Sequence, residues 1–153
     1  MLIQSLAQPF LQSVFTVLLA LLAAWLAFHK FKRERIWQAK FDCYTQTIES
    51  LQGMLDPLGS WVDAEQEGRE LSEERDNELR SKYKESNKLF LKSLAMSYVI
   101  LPDNVNLILQ NLKDDIEKKY DTYFEHIDTP YGLIRNAINE IAKIAKKDLD
   151  YTP

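Results

Sequence analysis

The stretch FLQSVFTVLLALLAAWLAF, from Phe10 to Phe28, decides how the rest of the chain is read. Its 19 residues hold no charge, no Gly and no Pro. At ~1.5 Å rise per residue, a helix of that length crosses a hydrocarbon core ~30 Å thick. Eleven of the residues are Leu, Val or Phe. At roughly −0.3 to −0.6 kcal/mol each near the bilayer centre, they outweigh Gln12, Ser13 and Thr16 at one end. The run predicts a transmembrane helix over 10–29, preceded by a short extracytoplasmic N-terminus over 1–9.

Working outward, Lys30, Lys32, Arg33 and Arg35 follow the run at once, whereas Met1 to Pro9 holds no Lys or Arg. Positive charge stays on the cytoplasmic side of a span. The expected topology is therefore single-pass, N-terminus outside, with residues 30–153 in the cytoplasm. A cleaved leader, which needs a basic start and a short apolar core, is not expected. Trp25 and Trp37 flank the basic cluster and read as anchors at the lipid headgroups, which makes membrane lipid the first expected partner.

All 19 Lys and Arg and all 23 Asp and Glu lie from Lys30 onward, so the net charge of −4 belongs to the polar part alone. An acidic balance argues against a general grip on nucleic acid. Arg35, Trp37 and Lys40 interleave charge with an aromatic ring, but just below a bilayer a headgroup is the simpler contact. The single cysteine, Cys43, excludes an intramolecular disulfide and reads as a small core side chain.

Within the span, Gln12, Thr16, Ala20, Ala24 and Ala27 recur every three or four residues. Such a stripe of small and polar side chains lets membrane helices approach closely, although alanine is also an ordinary membrane residue. Self-association of the chain is one expectation from it.

Beyond the span, Trp37, Phe41, Tyr44, Ile48, Leu51, Leu55 and Leu58 alternate at steps of four and three, a heptad-like seam of the coiled-coil kind on one helix. Nothing upstream breaks a helix except Gly53, so the span is expected to continue into this seam. Asp56-Pro57 is the expected stop or kink. Residues 62–78 are rich in acids and read as a solvated linker, with Ser72 as the cap of the next helix. That second helix carries Leu79, Tyr83, Phe90, Leu94, Tyr98 and Leu101 and breaks at Pro102. A third runs from about Asp103 through Tyr123. Thr129-Pro130 reads as the start of a fourth, ending near Asp148-Leu149. The predicted fold is all-α, a transmembrane helix continuing into a cytoplasmic antiparallel four-helix bundle. Up-and-down order would bring the Leu101-Pro102 turn and Lys143, Lys146 and Lys147 back toward the membrane. Those lysines also suit the C-terminal dipole of the last helix.

Motifs of catalysis are missing. His29 and His126 stand in no metal-ligand spacing, the four glycines form no phosphate loop, and no Gly-x-Ser-x-Gly occurs. Asp114-Asp115 reads as a solvated face. Neither an enzyme nor a cofactor or metal is expected.

The segment Arg33-Glu34-Arg35-Ile36-Trp37-Gln38-Ala39-Lys40, followed by Tyr44, Ile48 and Leu51, resembles small bacterial membrane proteins with one N-terminal span and a cytoplasmic helical domain. The chain end Ala145-Lys146-Lys147-Asp148-Leu149 is similar to theirs. Some of these proteins resemble accessory or effector components of phage-defence systems. The resemblance implies a membrane-anchored module that recruits or senses a cytosolic or membrane partner, or an oligomerising effector that perturbs the membrane. It implies no catalytic residue.

Overall fold

The computed structural model describes residues 2–150, and the side chains of Gln12 and of residues 15–150. The described residues form four α-helices and no strand: α1 Leu2–Gln66, α2 Glu73–Ile100, α3 Asp103–Ile116 and α4 Tyr123–Leu149. The fold is all-α, consistent with the expected bundle. The chain divides into one unit ending at Gln38 and a second beginning at Ala39.

In the second unit, the core is drawn from all four helices: Tyr44, Leu51, Met54 and Leu58 of α1, Phe90 and Leu94 of α2, Val105 and Leu109 of α3, Ile134 and Ile141 of α4. Burying such side chains contributes ~1.5–3 kcal/mol each, the main gain set against chain entropy. α1 and α2 run antiparallel. Asp56 meets Lys82 at 3.0 Å, and Trp61 donates from Nε1 to Asp76 at 2.9 Å, so residues later in α1 pair with earlier ones in α2. A Cβ on Gly53 would collide with the Ser86 hydroxyl, so the two helices touch backbone to side chain there. α4 is also antiparallel to α1, with Asp148 against Lys40 and Tyr131 against Gly59. Thr47, Ser50, Ser93 and Ser97 are buried, and each hydroxyl donates to a carbonyl three or four residues back in its own helix. Small polar side chains thus line the core without leaving their hydroxyls unpaired.

Three boundaries differ from expectation. Helix α1 does not stop at Asp56-Pro57. Pro57 is fully buried, and its packing outweighs the backbone hydrogen bond it cannot donate, a loss of ~3 kcal/mol or more in an exposed helix. The acidic stretch 62–78 is not a linker throughout. Val62 and Ala64 are core residues, and the non-helical connection is only residues 67–72. Gly68 closes α1 with φ +62°, its N–H bonded to Glu65 and the Arg69 N–H to Ala64, a Schellman ending that needs a residue without Cβ strain. Finally, α4 starts not at Thr129-Pro130 but seven residues earlier. Thr122 accepts from the Glu125 N–H at 3.2 Å while the Glu125 carboxylate accepts from the Thr122 N–H at 3.3 Å, a reciprocal capping box. Pro130 then sits buried inside the helix, and α3 ends at Ile116, leaving Tyr120 in the connection and Tyr123 at the head of α4.

Other expectations hold. Ser72 caps α2, accepting from the Arg75 N–H at 3.3 Å, and α2 ends at Ile100 just before Pro102. α4 closes at Leu149.

Candidate functional site

The first unit has no interior. Every described side chain from Phe15 to Gln38 is exposed, including Leu18, Leu21, Leu22, Trp25 and Phe28. Within α1, the stretch from Phe15 onward contains a window long and apolar enough to cross a membrane, by length and composition, and none of that window is buried inside the molecule. A soluble core helix of that composition would be covered by its neighbours.

The end of this apolar stretch is built from aromatic and basic side chains. The His29 ring lies edge-on to Trp25 at 4.3 Å and to Phe28 at 6.3 Å. Lys30 approaches Glu34 at 3.9 Å one turn on, and the Arg35 guanidinium sits 5.2 Å from the centre of the Phe31 ring. Lys32 and Arg33 are exposed beside them. Helical spacing explains the Trp25–His29, Lys30–Glu34 and Phe31–Arg35 contacts, since residues four apart share a face, whereas Phe28 and His29 are chain neighbours. The cluster offers a cationic, ring-rich collar of the kind that sits well at headgroup depth.

The stripe of small residues is likewise uncovered: Gln12, Thr16, Ala20, Ala24 and Ala27 are all exposed. The Thr16 hydroxyl donates to the Gln12 carbonyl at 2.8 Å in its own helix. It therefore brings shape, not a spare proton, to any helix packed on that face.

The seam divides in two. Tyr44, Leu51 and Leu58 are buried and Ile48 and Leu55 partly so, whereas Trp37 and Phe41 are 41% and 42% exposed. The core-facing stripe actually centres on Tyr44, Thr47, Leu51, Met54 and Leu58, with Cys43 and Ser50 at its side. Sequence reasoning missed Thr47 and Ser50 because a hydroxyl is scored as polar, although it can satisfy itself on the preceding turn. Cys43 is buried as expected, and burial pushes its thiol up, away from the reactive thiolate.

Asp148 joins α4 to α1: it accepts from Lys40 Nζ at 2.8 Å and from Tyr44 Oη at 3.1 Å. Burial and this neighbouring carboxylate hold the Tyr44 phenol firmly in its protonated form. Asp114 and Asp115 do not act together. Asp114 faces Lys113 at 3.8 Å and Asp115 faces Lys118 at 2.5 Å, a solvated face as read from the sequence.

At the opposite end of the bundle, Leu58, Trp61, Arg80, Tyr83, Tyr123 and His126 line an open cleft of ≈ 220 Å³. Asp76 braces it, accepting from Trp61 and, at 2.7 Å, from Arg80 Nε. The Arg80 contact, with help from Trp61, holds the Asp76 carboxyl below the usual range. His126 meets the Tyr120 ring edge-on at 6.0 Å. Burial raises the Tyr83 phenol. The cleft is smaller than the ~300–1,000 Å³ usual for cofactor pockets. Among the described residues, no three His, Cys, Asp or Glu side chains group to hold a metal ion.

No family model matches this sequence, and neither a curated protein nor a solved structure matches it.

Proposed function

We propose that the protein is a membrane-anchored helical interaction module of the bacterial inner membrane, its bundle in the cytoplasm recruiting or sensing a partner there. The observation that supports this reading is the uncovered apolar surface of residues 15–31 against a bundle that buries its own core. Such a surface loses stability in water at ~25 cal/mol per Å² and is stable in lipid. The basic collar from Lys30 to Arg35 favours the cytoplasm for everything after it. In this reading the protein works by association, needs no cofactor, and has no part for nucleic acid.

The uncovered Gln12–Ala27 stripe favours a second reading, an oligomerising effector of the phage-defence kind whose spans assemble and perturb the membrane. One pair of measurements tests both. The full chain is expected to stay in membranes through alkaline carbonate, and Leu18→Arg with Leu22→Arg to release it; retention of the double variant would overturn the anchor. Depolarisation on expression of the full chain that is lost with Ala20→Leu and Ala24→Leu would favour the effector. An unchanged membrane potential leaves the module.

A further inference from the structure

One end of the bundle gathers exposed apolar side chains with lysines that its own helices do not engage. From the pairing of Asp56 with Lys82 to that of Trp61 with Asp76, α2 steps back six residues for five forward along α1, which sets the last turn of α2, with Val99, near the level of Lys40. Asp148 meets Lys40 and Tyr44, so the last turns of α4 lie at the same end. There Val99 is 87% exposed, Leu107 60% and Met96 47%. Val99 is more exposed than any other large apolar side chain of the described residues. Along α2, Leu89, Lys92, Met96 and Val99 follow at steps of three, four and three, so they share its outer face. Asn106 holds the adjoining turn from inside, donating from Nδ2 to the Leu101 carbonyl at 3.3 Å.

Lys92, Lys143, Lys146 and Lys147 are exposed around this end, and none forms an ion pair among the described residues. Asp42, Asp103 and Asp150 stand at the same end. The lysine ammonium groups reach further from the backbone than those carboxylates and can extend past them to an anionic surface while their stems lie on apolar neighbours.

We infer that this end of the bundle, with Met96, Val99 and Leu107 at its tip, is a second lipid contact that rests on the leaflet of an anionic bilayer. The inference depends on the span proposed above. Eleven residue steps separate Phe28 from Ala39, and at ~3.6 Å per step the chain cannot carry the start of the bundle more than about 40 Å from the end of the apolar run. A tethered surface within that reach meets lipid at high effective concentration, whereas a soluble partner must be recruited from solution. Apolar tips ringed by lysine suit the headgroup boundary, where alkyl groups enter and ammonium groups meet phosphate.

The test uses the full chain in vesicles of phosphatidylcholine with or without phosphatidylglycerol. In a Cys43→Ala background, Val99→Cys or Leu107→Cys carries an environment-sensitive fluorophore, and Glu67→Cys at the far end serves as control. The expected result is blue-shifted emission at 99 and 107, quenched by nitroxide-bearing lipid, stronger with phosphatidylglycerol and absent at 67. Exchanging Lys143, Lys146 and Lys147 for Gln should remove the phosphatidylglycerol dependence. Protein that floats with the vesicles while both probes stay in water overturns the contact and leaves the anchor standing. Probes shielded without lipid quenching, in proportion to protein density, assign the surface to a second copy and also overturn it. Protein that does not float overturns the span, and this contact with it.

Discussion

Lys40 Nζ lies 2.8 Å from Asp148 Oδ1, a bond between the first turn of the bundle and the last turn of α4. The carboxylate stands at a helix C-terminus, where the macrodipole disfavours it, so the ammonium offsets a local repulsion as well as making a bond. Both side chains are largely covered. Lys40→Met, which leaves the carboxylate facing the helix end, should cost about 1–2 kcal/mol. Asp148→Asn keeps an acceptor for Tyr44 and should cost less than half of that. The double variant should fall short of the sum, a coupling that a double-mutant cycle on Trp fluorescence unfolding would measure.

The start of α4 offers a choice between two threonines. Thr122 closes the capping box with Glu125, whereas Thr129 lies inside the helix. Thr122→Ala should destabilise the bundle by ~1 kcal/mol, and Thr129→Ala should change it by no more than a few tenths. Equal losses, read from thermal unfolding, would return the helix start to Thr129-Pro130.

Gly53 and Ser86 pack closely: a Cβ at Gly53 would collide with the Ser86 hydroxyl and lie 3.1 Å from its Cβ. Gly53→Ala places a methyl group on the Ser86 hydroxyl and should cost about 1–3 kcal/mol despite the better helix propensity of alanine. In a Ser86→Ala background, where the blocking oxygen is gone, the same change should cost clearly less. Chemical denaturation of the four proteins of this cycle gives the comparison.

Acid should loosen the cleft end of the bundle first. The Asp76 carboxyl is held below its ordinary value of 3.8, chiefly by Arg80 and then by Trp61. Asp56 is lowered as well, by Gln52 and Lys82. Their contribution is present in full above the unfolded value and is lost as pH falls through the lower folded one. Stability should therefore drop below about pH 4, and Asp76→Asn should flatten that drop while lowering stability at pH 7. Emission from Trp61, bonded to Asp76, reports the change directly.

The all-helical fold and most helix positions were legible in the sequence because period and punctuation agreed: Ser72 before an acidic turn, Pro102 after Leu101, a charge-free run before a basic collar. The errors came where packing overruled punctuation. Pro57 and Pro130 look like boundaries, yet both are buried within helices, where core contacts exceed the cost of a missing donor. Val62 and Ala64 disappeared into the acids around them. Thr122-x-x-Glu125 has the spacing of a capping box, but Thr129-Pro130 seven residues on offers a competing start signal. Of the candidate surfaces, the collar at Lys30–Arg35 was visible in charge alone. The exposed tip at Val99 was not, because a single apolar residue near a helix end looks no different from a core residue until its neighbours are in place.

The bond between α1 and α4 also fixes an order of events during synthesis. Lys40 and Asp148 are 108 residues apart, so the ribosome completes the apolar run and the whole of α1 long before the carboxylate that closes the bundle exists. In that interval Leu51, Met54 and Leu58 can be covered by α2 and α3 but lack Ile134 and Ile141 of α4. At ~5–20 residues per second the wait lasts several seconds, far longer than a helix needs to form. The nascent chain is thus an incomplete bundle, open on the side that α4 later covers. Its vulnerable period ends only when the final turn leaves the exit tunnel.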